Sequence, residues 1–357
     1  LSAIKGSLPF LHFFDGFRTS HEQQKIEIWD YNELAEMLDQ EAVARFRARA
    51  LNPEHPCVKG TAQNPDIYFQ NREAGSHYHA ELPQIVADYM QQVSERTGRT
   101  YHPFDYYGDP EATDVVVAMG SICEVAYQAV DYLRAQGRKV GLLQVRLFRP
   151  FAPQYMFNVL PASVQRLAVL DRVKVDGAIA GPLHQDVLTA CFEAGRQLEI
   201  IGGRYGLGSK DTTPADIVGV YNNLALPTAE RKNNFTVAIN DDVYHTSLAP
   251  QADMPDMLPT GTIQCKFWGL GSDGTVGANK QAVGIINDET ELNAQAYFSY
   301  DSKKSGGITI SHLRFGQAKI QAPYLIRQAD FVSCSNAAYV NTYDLLEGLK
   351  PGGTFLL

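Results

Sequence analysis

At 357 residues, with 45% hydrophobic and 20% charged side chains, the chain has a globular balance and more length than one core usually supports. A formal net charge of −9 argues against a general nucleic-acid role, and no apolar run is long enough to span a bilayer. The five cysteines, Cys57, Cys123, Cys191, Cys265 and Cys334, are scattered with no C-x-x-C. They read as buried free thiols of a reducing cytoplasm, not a disulfide framework or a complete iron–sulfur site.

In chain order, the first region covers residues 1–99. It has no signal-peptide pattern at its start. The aromatic run Pro9-Phe10-Leu11-His12-Phe13-Phe14 predicts a short strand, Asp15-Gly16 a turn, and Ser20 a helix cap. Residues 31–50 predict one amphipathic helix, 64–75 a loop, and 82–98 a second helix with Ile85, Val86, Tyr89 and Val93 on one face. His77 and His79 alternate and would share a strand face, but without a third ligand they read as exposed loop histidines. The region looks like the end of a domain.

The second region, 100–250, alternates more cleanly. Residues 114–120 form a nearly continuous apolar strand, as a sheet covered on both faces requires. Ser121-Ile122-Cys123-Glu124 has the form of a capping box and opens a helix to Arg134. Strands follow at 139–147, 166–171 and 198–202, with helices over 181–194 and 213–223. Short loops between them predict a parallel α/β sheet.

The Pro-rich stretch 250–259 is the expected linker to a third region, 260–357. Strands are predicted at 262–270, 296–301, 307–313, 329–334 and from 353, with helices at 276–286 and 343–349. The last strand looks just begun, as if the chain were cut inside a domain.

One local feature stands out. Gly269-Leu270-Gly271-Ser272-Asp273-Gly274-Thr275-Val276-Gly277 matches G-x-G-x-x-G between a strand and a helix. Glycines allow close backbone approach to a phosphate, and a helix N-terminus supplies unpaired N–H groups. Asp273 within the loop would repel a pyrophosphate, and Asp288 and Glu289 follow the helix where a dinucleotide site needs an acid closing the next strand. The loop suits a phosphate-bearing ligand better than NAD, although a tight turn that binds nothing fits a bare match equally well. Lys303 and Lys304 lie in a Gly/Ser loop at a strand end, facing either an anion or solvent. Gly202-Gly203-Arg204-Tyr205-Gly206-Leu207-Gly208-Ser209-Lys210 reads as an interface loop rather than an anion site. No nucleophile elbow, zincin helix or Walker loop is present.

Taken together and in order, several stretches resemble the pyruvate:ferredoxin/flavodoxin oxidoreductase family. They are Pro9-Phe10-Leu11-His12-Phe13-Phe14-Asp15-Gly16-Phe17-Arg18-Thr19-Ser20-His21-Glu22, the Gly202–Lys210 run, the 267–280 run, Tyr300-Asp301-Ser302-Lys303-Lys304-Ser305-Gly306-Gly307 and Ser311-His312-Leu313-Arg314-Phe315-Gly316. The resemblance implies a multidomain α/β fold. Residues 1–99 would be the C-terminal part of a thiamine-enzyme pyrimidine-type domain. Residues 100–250 would be a transketolase C-terminal-like parallel α/β domain, and 260–357 the start of a gamma-type α/β domain. It further implies oxidative decarboxylation of pyruvate to acetyl-CoA and CO2, electron transfer to ferredoxin or flavodoxin, a cytoplasmic homodimer, and coenzyme A held by Gly271, Ser272, Asp273, Gly274, Thr275 and Lys303. Thiamine diphosphate, Mg2+ and [4Fe–4S] clusters would lie outside this span. The chain alone would then hold no catalytic or metal-ligating residue and be inactive. An NAD-dependent dehydrogenase and a non-catalytic α/β interaction subunit are the alternatives.

Overall fold

A computed structural model describes residues 1–16, 18–58, 60, 62–300 and 306–357. In chain order the elements begin with α1 (Ser2–Gly6), β1 (Glu22–Gln24), α2 (Tyr31–Glu36), α3 (Gln40–Ala48), α4 (Tyr68–Ala74) and α5 (Ser76–Thr97). Next come β2 (Phe104–Gly108), β3 (Asp114–Ala118), α6 (Ile122–Ala135), β4 (Val140–Val145), α7 (Pro153–Val159), β5 (Arg166–Asp171), α8 (Pro182–Glu193), β6 (Glu199–Arg204), α9 (Pro214–Ala225) and β7 (Phe235–Thr236). The last are β8 (Ile263–Leu270), α10 (Thr275–Glu289), β9 (Asn293–Tyr300), β10 (Ile308–Gly316), β11 (Ala329–Cys334) and β12 (Leu349–Leu356).

The chain divides into two compact units. The first comprises Leu1–Phe13, Ile28–Tyr106 and Leu143–Ala162; the second comprises Phe14–Glu27, Tyr107–Leu142 and Ser163–Leu357. In the first, α1 packs on α5 and α3. Leu82, Val86 and Leu147 form a small apolar cluster with Leu8 and Met90 beside it. A Cβ on Gly6 would stand 2.7 Å from Leu82 Cδ1, so α1 sits almost directly on α5.

The α/β fold carries two six-stranded sheets. One runs β2-β4-β3-β5-β6-β7. Its members β3, β5, β6 and β7 are parallel, as the sequence pattern requires. Every residue of β3 is buried, and α6 and α9 contribute most of the adjoining core. The other sheet, β1-β9-β10-β8-β11-β12, is mixed. Its β9 and β10 form an antiparallel hairpin, β10 pairs antiparallel with β8, and β8, β11 and β12 are parallel. The third region is α/β, as expected, with its strands in a mixed sheet.

Several local expectations fail for identifiable reasons. Residues 9–14 form no strand; Leu11 is 84% exposed and the phenylalanines are more than half exposed. Ser20 caps no helix, because β1 follows and pairs antiparallel with β9. The 31–50 helix is two helices, since the Asp39 carboxylate accepts from the Ala42 N–H at 2.8 Å and restarts the chain as α3. The loop expected over 64–75 contains α4, and His77 and His79 lie in the first turn of α5. No capping box forms at Ser121, whose hydroxyl donates instead to Asp15 at 3.0 Å. The helix expected over 343–349 is a series of turns, with the Leu346 N–H donating to Asp344 Oδ1. Cys57 is exposed, unlike the other cysteines. No described helix is long and apolar enough to cross a membrane.

Candidate functional site

The site is built where two neighbouring parallel strands end. β8 and β11 pair in register from Phe331–Cys265 to Cys334–Trp268, so their carboxyl ends lie side by side. In sheets of this kind ligands bind outside those ends. The glycine loop leaves β8 there and turns into α10.

Each glycine has a physical task. A Cβ on Gly269 would stand 2.7 Å from Thr275 Oγ1 and 2.9 Å from Thr309 Oγ1, so only hydrogen fits. Gly271 donates its N–H to the Gly307 carbonyl at 2.7 Å, which fixes the exit of the β9–β10 connection beside the loop. Gly274 has φ +92° and faces open space at its Cβ position, so a side chain there would be both strained and in front of the loop. Ser272 also lies in the left-handed region, at φ +76°.

Asp273, the residue that made an anion site awkward, is exposed, and both of its carboxylate oxygens are engaged by local donors. Its Oδ1 accepts from the Thr275 N–H at 2.8 Å. Its Oδ2 accepts from the Leu270 N–H at 2.8 Å and from Ser335 Oγ at 2.8 Å. Partial burial acts to raise its pKa, but the hydrogen bonds from Thr275, Leu270 and Ser335 outweigh this and hold it down to about 2. The carboxylate is thus ionised and occupied within the loop.

The remaining donors are backbone groups. The Asp273 N–H donates to the Leu270 carbonyl at 3.0 Å. Among the described residues, the N–H groups of Ser272, Gly274, Val276 and Gly277 make no hydrogen bond. They belong to an exposed loop and to the first turn of a 15-residue helix, whose dipole adds positive potential there. Such an arrangement offers unpaired donors and positive potential of the kind that suits an anion.

The structure therefore brings Gly271, Ser272, Asp273, Gly274 and Thr275 into one loop. Lys303, with Lys304, lies outside the described residues. Sequence reasoning missed Ser335, whose N–H donates to the Trp268 carbonyl at 2.9 Å, and Tyr339, whose hydroxyl donates to the Gly269 carbonyl at 3.4 Å. The available signal was the parallel pairing of the two strands. Once β11 lies beside β8, the polar Ser335-Asn336 pair that follows it must sit against the glycine loop.

The Gly202–Lys210 run packs closely instead. A Cβ on Gly202 would stand 2.1 Å from His184 Nδ1, and one on Gly203 2.0 Å from Phe235 Cε2. Within it, Ser209 Oγ donates to the Gly16 carbonyl at 3.4 Å, and just beyond it Asp211 pairs with Arg18 at 2.9 Å. Among the described residues no group of three or more His, Cys, Asp or Glu side chains could hold a metal ion.

Residues 264–357 match the family described as pyruvate ferredoxin/flavodoxin oxidoreductase. Residues 112–217 match pyruvate:ferredoxin oxidoreductase core domain II, and residues 1–91 match the thiamine diP-binding part of pyruvate flavodoxin/ferredoxin oxidoreductase. The chain is 58% identical over its whole length to a pyruvate-flavodoxin oxidoreductase of Enterobacter agglomerans. It is 57% identical to a pyruvate:ferredoxin oxidoreductase of Moorella thermoacetica and 57% identical to a pyruvate-flavodoxin oxidoreductase of Klebsiella pneumoniae, again along its entire length. It spans 30% of the length of each of these relatives.

Proposed function

Because the chain belongs to the pyruvate:ferredoxin/flavodoxin oxidoreductase family, we propose that it works as part of an enzyme converting pyruvate and coenzyme A to acetyl-CoA and CO2. Electrons would pass to ferredoxin or flavodoxin. This chain's share is to hold coenzyme A at the 271–275 loop, with Lys303 as cationic partner. The single observation that carries this reading is the loop at the β8 end, which leaves backbone N–H groups free at a helix start while its one carboxylate is occupied by donors of its own. Backbone N–H groups and a helix N-terminus suit the pyrophosphate of such a ligand. The dehydrogenase alternative loses support from α10, because Asp288 and Glu289 lie in its last turn. At about 1.5 Å rise per residue they stand roughly 20 Å from the loop, too far to share a ribose.

Neither magnesium, which would accompany thiamine diphosphate, nor an iron–sulfur cluster fits the residues present. The described side chains offer no three-ligand group, and the five cysteines are dispersed. In this proposal those groups belong to the rest of a cytoplasmic, homodimeric enzyme. The domain boundaries proposed are 1–99, 100–250 and 260–357.

Steady-state kinetics of the full-length enzyme test the assignment. One charged phosphate contact contributes about 1.5–3 kcal/mol, or roughly ten- to a hundredfold in affinity. Lys303→Ala should raise KM for coenzyme A by that order and leave KM for pyruvate unchanged. Gly274→Val should raise it further. Wild-type coenzyme A kinetics in both variants would remove the assignment.

A further inference from the structure

Asp273 and Ser335 are 62 residues apart in sequence and belong to different strand ends, yet their side chains meet at 2.8 Å. The Ser335 hydroxyl has one proton to give. It lies 2.8 Å from Asp273 Oδ2 and 3.2 Å from the Trp268 carbonyl, and the shorter, charge-assisted contact takes the proton. The same oxygen stands 3.3 Å from Thr275 Oγ1, the side chain that opens α10. Its own N–H holds the end of β8 through the Trp268 carbonyl. Ser335 therefore touches the strand before the loop, the carboxylate within it and the helix after it.

From this geometry we infer that Ser335 is a positioning residue for the glycine loop, acting through Asp273. The inference rests on the reading of that loop as the coenzyme A site. Both carboxylate oxygens of Asp273 are engaged, Oδ1 by the Thr275 N–H and Oδ2 by the Leu270 N–H and Ser335. Ser335 is the only one of these donors that does not belong to the loop or its flanks. Leu270 closes β8 and Thr275 opens α10, so both backbone donors belong to the elements that the loop joins, whereas Ser335 follows directly on β11 and reaches the carboxylate from the neighbouring strand end. Ser335 thus ties the carboxylate to the sheet. It holds the carboxylate on the N–H groups of Leu270 and Thr275, and so fixes the loop conformation in which the N–H groups of Ser272 and Gly274 stay free.

The test uses the full-length enzyme and compares Ser335→Ala, Ser335→Thr, Asp273→Asn, the Ser335→Ala/Asp273→Asn double variant and Gly274→Val. Ser335→Ala should raise KM for coenzyme A by about three- to tenfold, the effect of one hydrogen bond to a charged group shared among three. KM for pyruvate should not move, and Ser335→Thr should restore coenzyme A kinetics. The double variant should be no worse than Asp273→Asn alone, because the two residues act through each other. If Ser335→Ala keeps wild-type coenzyme A kinetics while Gly274→Val loses them, the inference fails and the site stands. Additive effects of Ser335→Ala and Asp273→Asn would also overturn it. If neither Ser335→Ala nor Gly274→Val alters coenzyme A kinetics, the site reading itself falls.

Discussion

Glu22 shows how a single side chain in this fold sets a pH response. It lies on β1, with Gln295 Nε2 donating to its Oε1 at 2.7 Å. Burial lifts its pKa from 4.5 to about 7, and Glu124 adds to the lift; the Gln295 hydrogen bond, Arg18 and Arg314 only partly oppose it. The folded state therefore keeps a proton that the unfolded chain releases above pH 4.5. Stability from this group is fully present below that value and falls as pH rises through about 7. The loss is on the order of 2–3 kcal/mol. Glu22→Gln should abolish it, so the variant should melt higher than wild type at pH 8 and close to it at pH 5. Thermal unfolding at the two pH values checks this, and an unchanged difference between them in the variant would refute it. A glutamate beside two glutamines gives no hint of burial in the sequence, because the groups that surround it, Gln295 and Arg314 among them, come from distant strands.

At the level of elements, the sequence is legible where a strand is buried by its own composition. β5 and β11 lie at their expected bounds, and α10 starts within a residue of expectation. Elements that depend on distant partners are not legible. β1 has no strand propensity and exists because β9 offers an edge. The helix start at Ser121 lacks its expected cap because Ser121 already has helical backbone angles (φ −61°, ψ −26°), and its hydroxyl donates to the distant Asp15. The site follows the same rule: the glycine loop can be read directly, whereas Ser335 depends on strand order. What holds β1 in place is polar. Arg18 pairs with Asp211 at 2.9 Å, their side chains 7% and 15% exposed, and stacks 4.3 Å from the Tyr297 ring centre. Asp15 pairs with Arg172 at 2.8 Å. Asp211→Ala would leave a buried guanidinium without its ion pair, at a cost of about 3–5 kcal/mol. Arg18→Met combined with Asp211→Leu should recover much of that loss. Chemical denaturation of the three proteins checks the order, and a double variant less stable than Asp211→Ala would contradict it.

Across the whole molecule, the chain does not fold in consecutive blocks. Phe14–Glu27 belongs to the unit that otherwise begins at Tyr107, and the first unit is assembled from three separate stretches. A chain in which a short flexible linker replaces residues 14–27 would lack β1 and leave the edge of β9 open, a template for pairing with other chains. It should aggregate on concentration, and a synthetic peptide of residues 14–27 supplied in trans should restore a monodisperse species in light scattering. A peptide carrying Arg18→Ala should fail to do so, because the Asp211 contact anchors it. The same feature bears on inheritance. Because β1 and β9 pair across 271 residues or more, a recombination break between them would join an edge strand from one parent to a sheet from another. Glu22 facing Gln295 then becomes the point at which the two ancestries must agree, and crossovers that preserve this pair should be the ones that survive.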